Sequence, residues 1–178
     1  MRIIAGTKRG KQLFTPKDEH IRPTADRARE AVYSILTAKL EKPLNEYDFM
    51  DIFSGTGAFG LEAASRGAKS VTFVDIDLKL TQKNAELCGF SNLSFIKSDA
   101  RKLPRAKAPV DIIFADAPYN LGLSEPTLVN LIEKGYISAQ TLVIIETAKD
   151  EHLEAPKELD LIDERVYGAA KFSFFILK

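Results

Sequence analysis

Four residues at the end of an apolar run could orient a planar amine for attack. Asp116-Ala117-Pro118-Tyr119 follows Val110-Asp111-Ile112-Ile113-Phe114-Ala115. The exocyclic amine of guanine, adenine or cytosine is a poor nucleophile, because its lone pair is delocalised into the ring. Two acceptors holding its two hydrogens can turn that lone pair toward an electrophile. The Asp116 carboxylate and the Ala117 backbone carbonyl suit that task, and Tyr119 suits stacking on the base. A methyl group on a sulfonium is the electrophile such a set can use, with positioning supplying much of the rate. Neither a metal nor a covalent intermediate is required.

A second set of residues could hold the methyl donor. Asp51-Ile52-Phe53-Ser54-Gly55-Thr56-Gly57-Ala58-Phe59-Gly60 contains Gly55-x-Gly57-x-x-Gly60, and Asp75 stands twenty residues after Gly55. Glycines let the backbone turn sharply and let a ligand approach closely. Taken alone, the pattern fits a dinucleotide as well as another adenosine-containing cofactor. Two acids favour S-adenosylmethionine. Asp51, just before the loop, suits a ligand bearing an ammonium and a sulfonium, and would repel a pyrophosphate. Asp99 can accept from the adenine amino group, while Asp75 can accept from the ribose hydroxyls.

Strands and helices must alternate to bring these groups together. Strands are predicted at Tyr47–Phe53, Ser70–Asp75, Leu93–Lys97, Val110–Asp116 and Thr141–Glu146. Helices are predicted at Gly57–Arg66, Leu78–Cys88 and Leu123–Lys134, each followed by a glycine suited to the C′ position (Gly67, Gly89, Gly135). This is the pattern of a doubly wound α/β domain, with Asp51, Asp75 and Asp99 at the C-terminal ends of consecutive strands lining one crevice. Leu159–Tyr167 and Lys171–Leu177 are too close for a parallel crossover and should form an antiparallel hairpin. Ahead of the domain, residues 2–14 read as a hairpin around a basic turn. A helix is predicted over residues 25–40, with Thr24 as N-cap and Ala28, Ala31, Val32, Ile35 and Leu36 on its apolar face.

Charge is unevenly spread. The 178 residues sum to a net charge of +0, yet residues 1–42 hold ten Lys/Arg against five Asp/Glu. A basic N-terminal segment on an otherwise acidic chain suggests a polyanion-docking element. The single cysteine, Cys88, excludes an internal disulfide and points to a reducing, cytoplasmic setting. Two histidines, His20 and His152, leave no metal-ligand spacing and no His-based triad. No apolar run approaches the ~20 residues of a membrane span, and the N-terminus lacks a signal-peptide core.

Residue motifs carry the reading further. Asp/Asn-Pro-Pro-Tyr/Phe is the signature of methyltransferases acting on planar nitrogens. Here Ala117 replaces the first proline, which keeps the carbonyl and gives up about 0.4–1 kcal/mol of backbone stiffness. Arg2-Ile3-Ile4-Ala5-Gly6, Arg9-Gly10-Lys11-x-Leu13 and Arg22-Pro23-Thr24-x-Asp26-Arg27-x-Arg29-Glu30 resemble the RsmD family of 16S ribosomal RNA guanine-N2 methyltransferases. So do Asp51 to Ala63, Ser65-Arg66-Gly67-Ala68 and the catalytic tetrapeptide.

The resemblance implies a Rossmann-like class I methyltransferase fold: seven strands, mostly parallel, ending in an antiparallel hairpin. It implies a methyltransferase domain over residues 43–178 and an RNA-contacting extension over residues 1–42. Asp116, Ala117, Pro118 and Tyr119 would bind the base. Asp51, Phe53, Ser54, Gly55, Thr56, Gly57, Asp75, Ile76, Asp99 and Ala100 would surround S-adenosylmethionine, leaving S-adenosylhomocysteine as product. Lys8, Arg9, Lys11, Arg22, Arg27 and Arg29 would face RNA. Lys11 stands where the family commonly has arginine, keeping the charge without the planar fork. The implied substrate is 16S rRNA, at guanine 966, within an assembling small ribosomal subunit. The implied enzyme is a monomer without a metal. The rivals are a DNA or other RNA base amino-methyltransferase, an NAD-binding dehydrogenase, and an rRNA-binding assembly factor with weakened catalysis.

Overall fold

Phe49, Met50, Asp51 and Ile52 are buried consecutively, as a strand covered on both faces requires. They belong to β1 (Asp48–Ile52), which pairs in parallel with β2 (Ser70–Asp75) on one side and β4 (Ile112–Asp116) on the other. The structure, a computed structural model, describes residues 1–16 and 23–178. Beyond β2 lies β3 (Leu93–Lys97), and beyond β4 lies β5 (Leu142–Ala148), both parallel. An antiparallel hairpin of β6 (Leu159–Tyr167) and β7 (Ala170–Leu177) completes seven strands in the order β3-β2-β1-β4-β5-β7-β6. The order reverses between β1 and β4, and a crevice opens there at the strand C-termini.

Alternating side chains divide the interior into two cores. Phe49, Phe73, Phe114, Ile144 and Phe174 point to one face, where α1 (Pro23–Lys39), α2 (Ala58–Ser65) and α3 (Lys79–Cys88) pack. Met50, Ile52, Val74, Ile113, Val143 and Phe175 point to the other, toward Leu128 and Leu131 of α4 (Ser124–Glu133). Phe59 of α2 stacks on Phe114 with ring centroids 3.5 Å apart and on Tyr33 of α1 at 4.8 Å. The Tyr33 hydroxyl donates to the Phe59 carbonyl at 2.6 Å, satisfying a buried polar group.

Boundaries shift for local reasons. β4 begins at Ile112 rather than Val110, whose N–H donates to Tyr136 and whose carbonyl accepts from the Thr141 hydroxyl. α1 begins at Pro23, ahead of the expected Thr24 cap, and proline suits the first helical turn. The three helix-ending glycines, Gly67, Gly89 and Gly135, all take positive φ. Two short 3-10 turns, Leu44–Glu46 and Ala100–Lys102, carry no helical periodicity in the sequence.

Residues 1–16 lie against α2 and α3. The expected hairpin is present as one bridge, Arg2 to Gln12, flanked by Ile3 N–H to the Lys11 carbonyl and Gly10 N–H to the Ile3 carbonyl. Glu62 on α2 is fully buried and accepts from the backbone N–H groups of Ile4 (2.7 Å) and Ala5 (2.9 Å) and from Arg66 Nε (2.7 Å). Ser65 Oγ donates to the Ala5 carbonyl and accepts from Lys8 N–H. Gly6 passes so close that a Cβ there would sit 1.8 Å from the Ser65 carbonyl oxygen. Ile3 and Leu13 join the same core as Phe49 and Phe73.

Candidate active site

Where β1, β4 and β5 end, the chain encloses a cavity of about 390 Å³. Asp51, Phe53, Ser54 and Thr56 line it from the glycine loop, Asp116 and Tyr119 from the loop after β4, and Arg29 from α1. The structure thus joins the expected cofactor loop and the expected catalytic loop in one space. Unexpected contributors come from the C-terminal strands: Glu146 of β5, Tyr167 at the end of β6, and Gly168, Ala169, Ala170 and Phe172 leading into β7.

The glycine loop is held from several sides. Phe53 takes φ 59°, a left-handed conformation that costs energy for a bulky residue. Ser54 N–H donates to the Val74 carbonyl, and Gly57 N–H to the Ser54 carbonyl. The Thr81 hydroxyl of α3 donates to the Gly55 carbonyl at 2.8 Å. Asn84, one turn on, donates to the carbonyls of Thr56 and Phe14 and accepts from Phe14 N–H. Asn84 therefore ties the glycine loop to the N-terminal segment.

Asp51 is buried, and its Oδ2 accepts from Gly60 N–H at 2.8 Å. Burial pushes its carboxyl up to about 8, against the Gly60 hydrogen bond and with help from nearby Asp75. Such a carboxylate is ready to be ionised by a cationic ligand. Asp75 accepts from Gly55 N–H (2.9 Å) and Asp77 N–H (3.1 Å), and Ile76 beside it is 70% exposed. Asp99 caps the Ala100–Lys102 turn and is gripped by Arg101, with Oδ2 to Nη2 at 2.7 Å. Arg101 holds the Asp99 carboxyl down to about 2. Asp75, Ile76, Asp99 and buried Ala100 do not line the cavity; they continue the same sheet edge past β2 and β3.

On the loop after β4, Ala117 is buried while Asp116 and Pro118 are exposed. The Tyr119 hydroxyl donates to Glu146 Oε1 at 2.7 Å. Burial and the neighbouring carboxylates push the Tyr119 hydroxyl well above its usual range. Burial also raises Glu146, against the Tyr119 hydrogen bond. Asp116 and Glu146 are register partners on adjacent parallel strands. An acid closing the predicted strand Thr141–Glu146, as Asp116 closes the one before, was the signal in the sequence, although β5 runs on to Ala148.

The expected RNA contacts separate. Lys8, Arg9 and Lys11 are exposed on the N-terminal turn, and Arg27 is exposed on α1. Arg29 instead points inward, 6% exposed, its Nη2 donating to the Arg2 carbonyl (2.6 Å) and to Asp26 (3.0 Å). Arg22 lies outside the described residues. Among the described residues no group of His, Cys, Asp and Glu could hold a metal ion, and no helix is long and apolar enough to cross a membrane.

Comparison with known proteins places this geometry. The model of the family described as Conserved hypothetical protein 95 matches residues 1–176. The ribosomal RNA small subunit methyltransferase D of Haemophilus influenzae is 31% identical over 98% of this chain and 93% of its own. The chain belongs to the RsmD family. A solved structure described as the putative methyltransferase yhhF from Escherichia coli superposes with TM-score 0.83 at 30% identity, over 100% of this chain and 98% of that one. The expected class I methyltransferase fold is thereby borne out. A shorter match, 40% identical over 42% of this chain and 24% of the relative, is to a Thermus thermophilus tRNA (guanine(6)-N2)-methyltransferase.

Proposed function

We propose that this RsmD family member transfers a methyl group from S-adenosylmethionine to the exocyclic N2 of a guanine in 16S rRNA, at guanine 966, during small-subunit maturation. The observation that carries the reading is the shared cavity: buried Asp51 of the cofactor loop and Asp116 and Tyr119 of the catalytic loop face one space. The names of the relatives support rRNA as substrate, and the tRNA enzyme that shares a stretch of sequence supports N2 of guanine.

The residues present fit S-adenosylmethionine. Asp51 is a buried acid that a cationic ligand would ionise, and the glycine loop offers close backbone approach at the sheet's switch point. When bound, S-adenosylmethionine supplies an electrophilic methyl on a sulfonium. Asp51 would hold the ammonium, Asp75 the ribose hydroxyls and Asp99 the adenine amine. Phe53, Ser54, Gly55, Thr56, Gly57, Ile76 and Ala100 complete the surround. The Asp116 carboxylate and Ala117 carbonyl accept the two hydrogens of the guanine amine, and Tyr119 stacks on the ring. As the new bond forms, the nitrogen proton passes to Asp116, which is exposed and can release it to water.

The enzyme acts as a monomer. Residues 1–42 contact RNA through Lys8, Arg9, Lys11, Arg22 and Arg27. Arg29 shapes the cavity wall and supports Arg2 from behind.

Labelled S-adenosylmethionine, the purified protein and small ribosomal subunits from a strain lacking this gene provide the test. Label is expected as N2-methylguanosine in 16S rRNA and is expected to vanish with Asp116→Ala. Cofactor binding without label in rRNA would count against the reading.

A further inference from the structure

We infer that Glu146 reads the ring N1–H of the target guanine, beside the amine held by Asp116, and thereby sets the base specificity of the cavity. The inference rests on the proposed methylation of a guanine amine. Glu146 and Asp116 are paired in register on parallel strands, so their side chains leave the sheet on the same face, about 4.8 Å apart along the hydrogen-bonding direction. Both line the cavity. Glu146 Oε1 is occupied by the Tyr119 hydroxyl at 2.7 Å, which fixes the carboxylate beside the ring that would stack on the base. A carboxylate can accept about four hydrogen bonds, so a second donor can be accommodated.

Two neighbouring carboxylates select for two neighbouring donors. The Watson–Crick edge of guanine carries the N2 amine next to N1–H. Adenine and cytosine carry their amine next to a bare ring nitrogen, an acceptor that would face Glu146 lone pair to lone pair. Glu146 lines the cavity and already accepts from Tyr119, so a bound base that offers no donor would displace water from its other oxygen without replacing that hydrogen bond. A site built to hydrogen-bond a substrate N–H rejects analogues that lack it.

The probe is 2-aminopurine, which keeps the amine at C2 but has no hydrogen on N1. Small ribosomal subunits are reconstituted with guanine or with 2-aminopurine at the methylated position, and kcat/KM is measured on each. The wild-type protein is expected to prefer guanine by about 30-fold, the worth of a hydrogen bond to a charged group. Glu146→Gln is expected to bring that preference below about threefold, since an amide can offer its oxygen to N1–H or its NH2 to a bare N1. The ratio is taken within one variant, so any loss of folded protein cancels. An unchanged preference in the Gln variant overturns the role of Glu146 while leaving the proposed function standing. Absence of N2-methylguanosine on the guanine particle with wild-type protein overturns both.

Discussion

A carboxylic acid sealed from water keeps its proton to higher pH than an exposed one, and Asp51 does so up to about 8. A ligand bearing an ammonium favours the ionised form, so its binding expels that proton. Affinity for S-adenosylhomocysteine is therefore expected to rise with pH, by at most about tenfold per unit, and to level off above pH 8. Calorimetry in two buffers of different protonation enthalpy should detect the released proton below pH 8. Asp51→Asn should bind more weakly and flatten the profile. Stability of the ligand-free protein runs the opposite way. An unfolded aspartate ionises near about 3.9, so this residue's contribution declines as pH rises from there to about 8 and is constant beyond. On the loop after β4, Tyr119→Phe keeps the ring but strips half-buried Glu146 of its hydroxyl donor. A several-fold fall in kcat/KM is expected, on the order of the 0.5–1.5 kcal/mol of one hydrogen bond. Asp116→Ala should cost far more, because it removes the proposed acceptor of the reacting amine.

Between elements, the N-terminal segment and α2 are joined through one side chain. Glu62 takes two backbone N–H groups and Arg66 onto a carboxylate with no solvent exposure. Glu62→Ala would leave those donors buried and unpaired, and a loss of about 3 kcal/mol is expected in chemical denaturation. Glu62→Gln keeps one acceptor and should lose less. The same reasoning explains why the hairpin survives with a single bridge: its remaining backbone groups are satisfied by α2 and by Asn84 of α3 rather than by a partner strand. Asn84 and Thr81 in turn hold the glycine loop, so α3 bonds both the N-terminal segment and the proposed cofactor loop.

For the whole molecule, the uneven charge becomes a question of which basic groups face outward. Lys8, Arg9, Lys11 and Arg27 do, and Arg29 does not. If the exposed four meet phosphates, each substitution to alanine should weaken rRNA binding and lower the salt slope by roughly one. Binding titrations from low to moderate salt measure this directly. Arg29→Ala should leave the slope unchanged and lower thermal stability instead, because it frees the Arg2 carbonyl and Asp26.

Much of this was written in local sequence. Period-two and continuous apolar runs located the seven strands, and glycines after helical stretches located the helix ends, because backbone conformation and burial are decided by near neighbours. The acids at strand ends were legible for the same reason: a parallel sheet gathers its strand C-termini on one edge. What local sequence could not decide was pairing. β6 and β7 read as a hairpin, yet that β7 rather than β6 sits against β5 depends on which edge buries Phe172 and Phe174. The i, i+3 pair of Asp26 and Arg29 is legible in the helix, but that Arg29 is buried against the Arg2 carbonyl is not. Glu146 reads as an ordinary strand-end acid until register places it beside Asp116 and under Tyr119. Sequence determined which chemistry was present and on which elements. Tertiary structure decided which charges meet, because burial and register join residues dozens of positions apart.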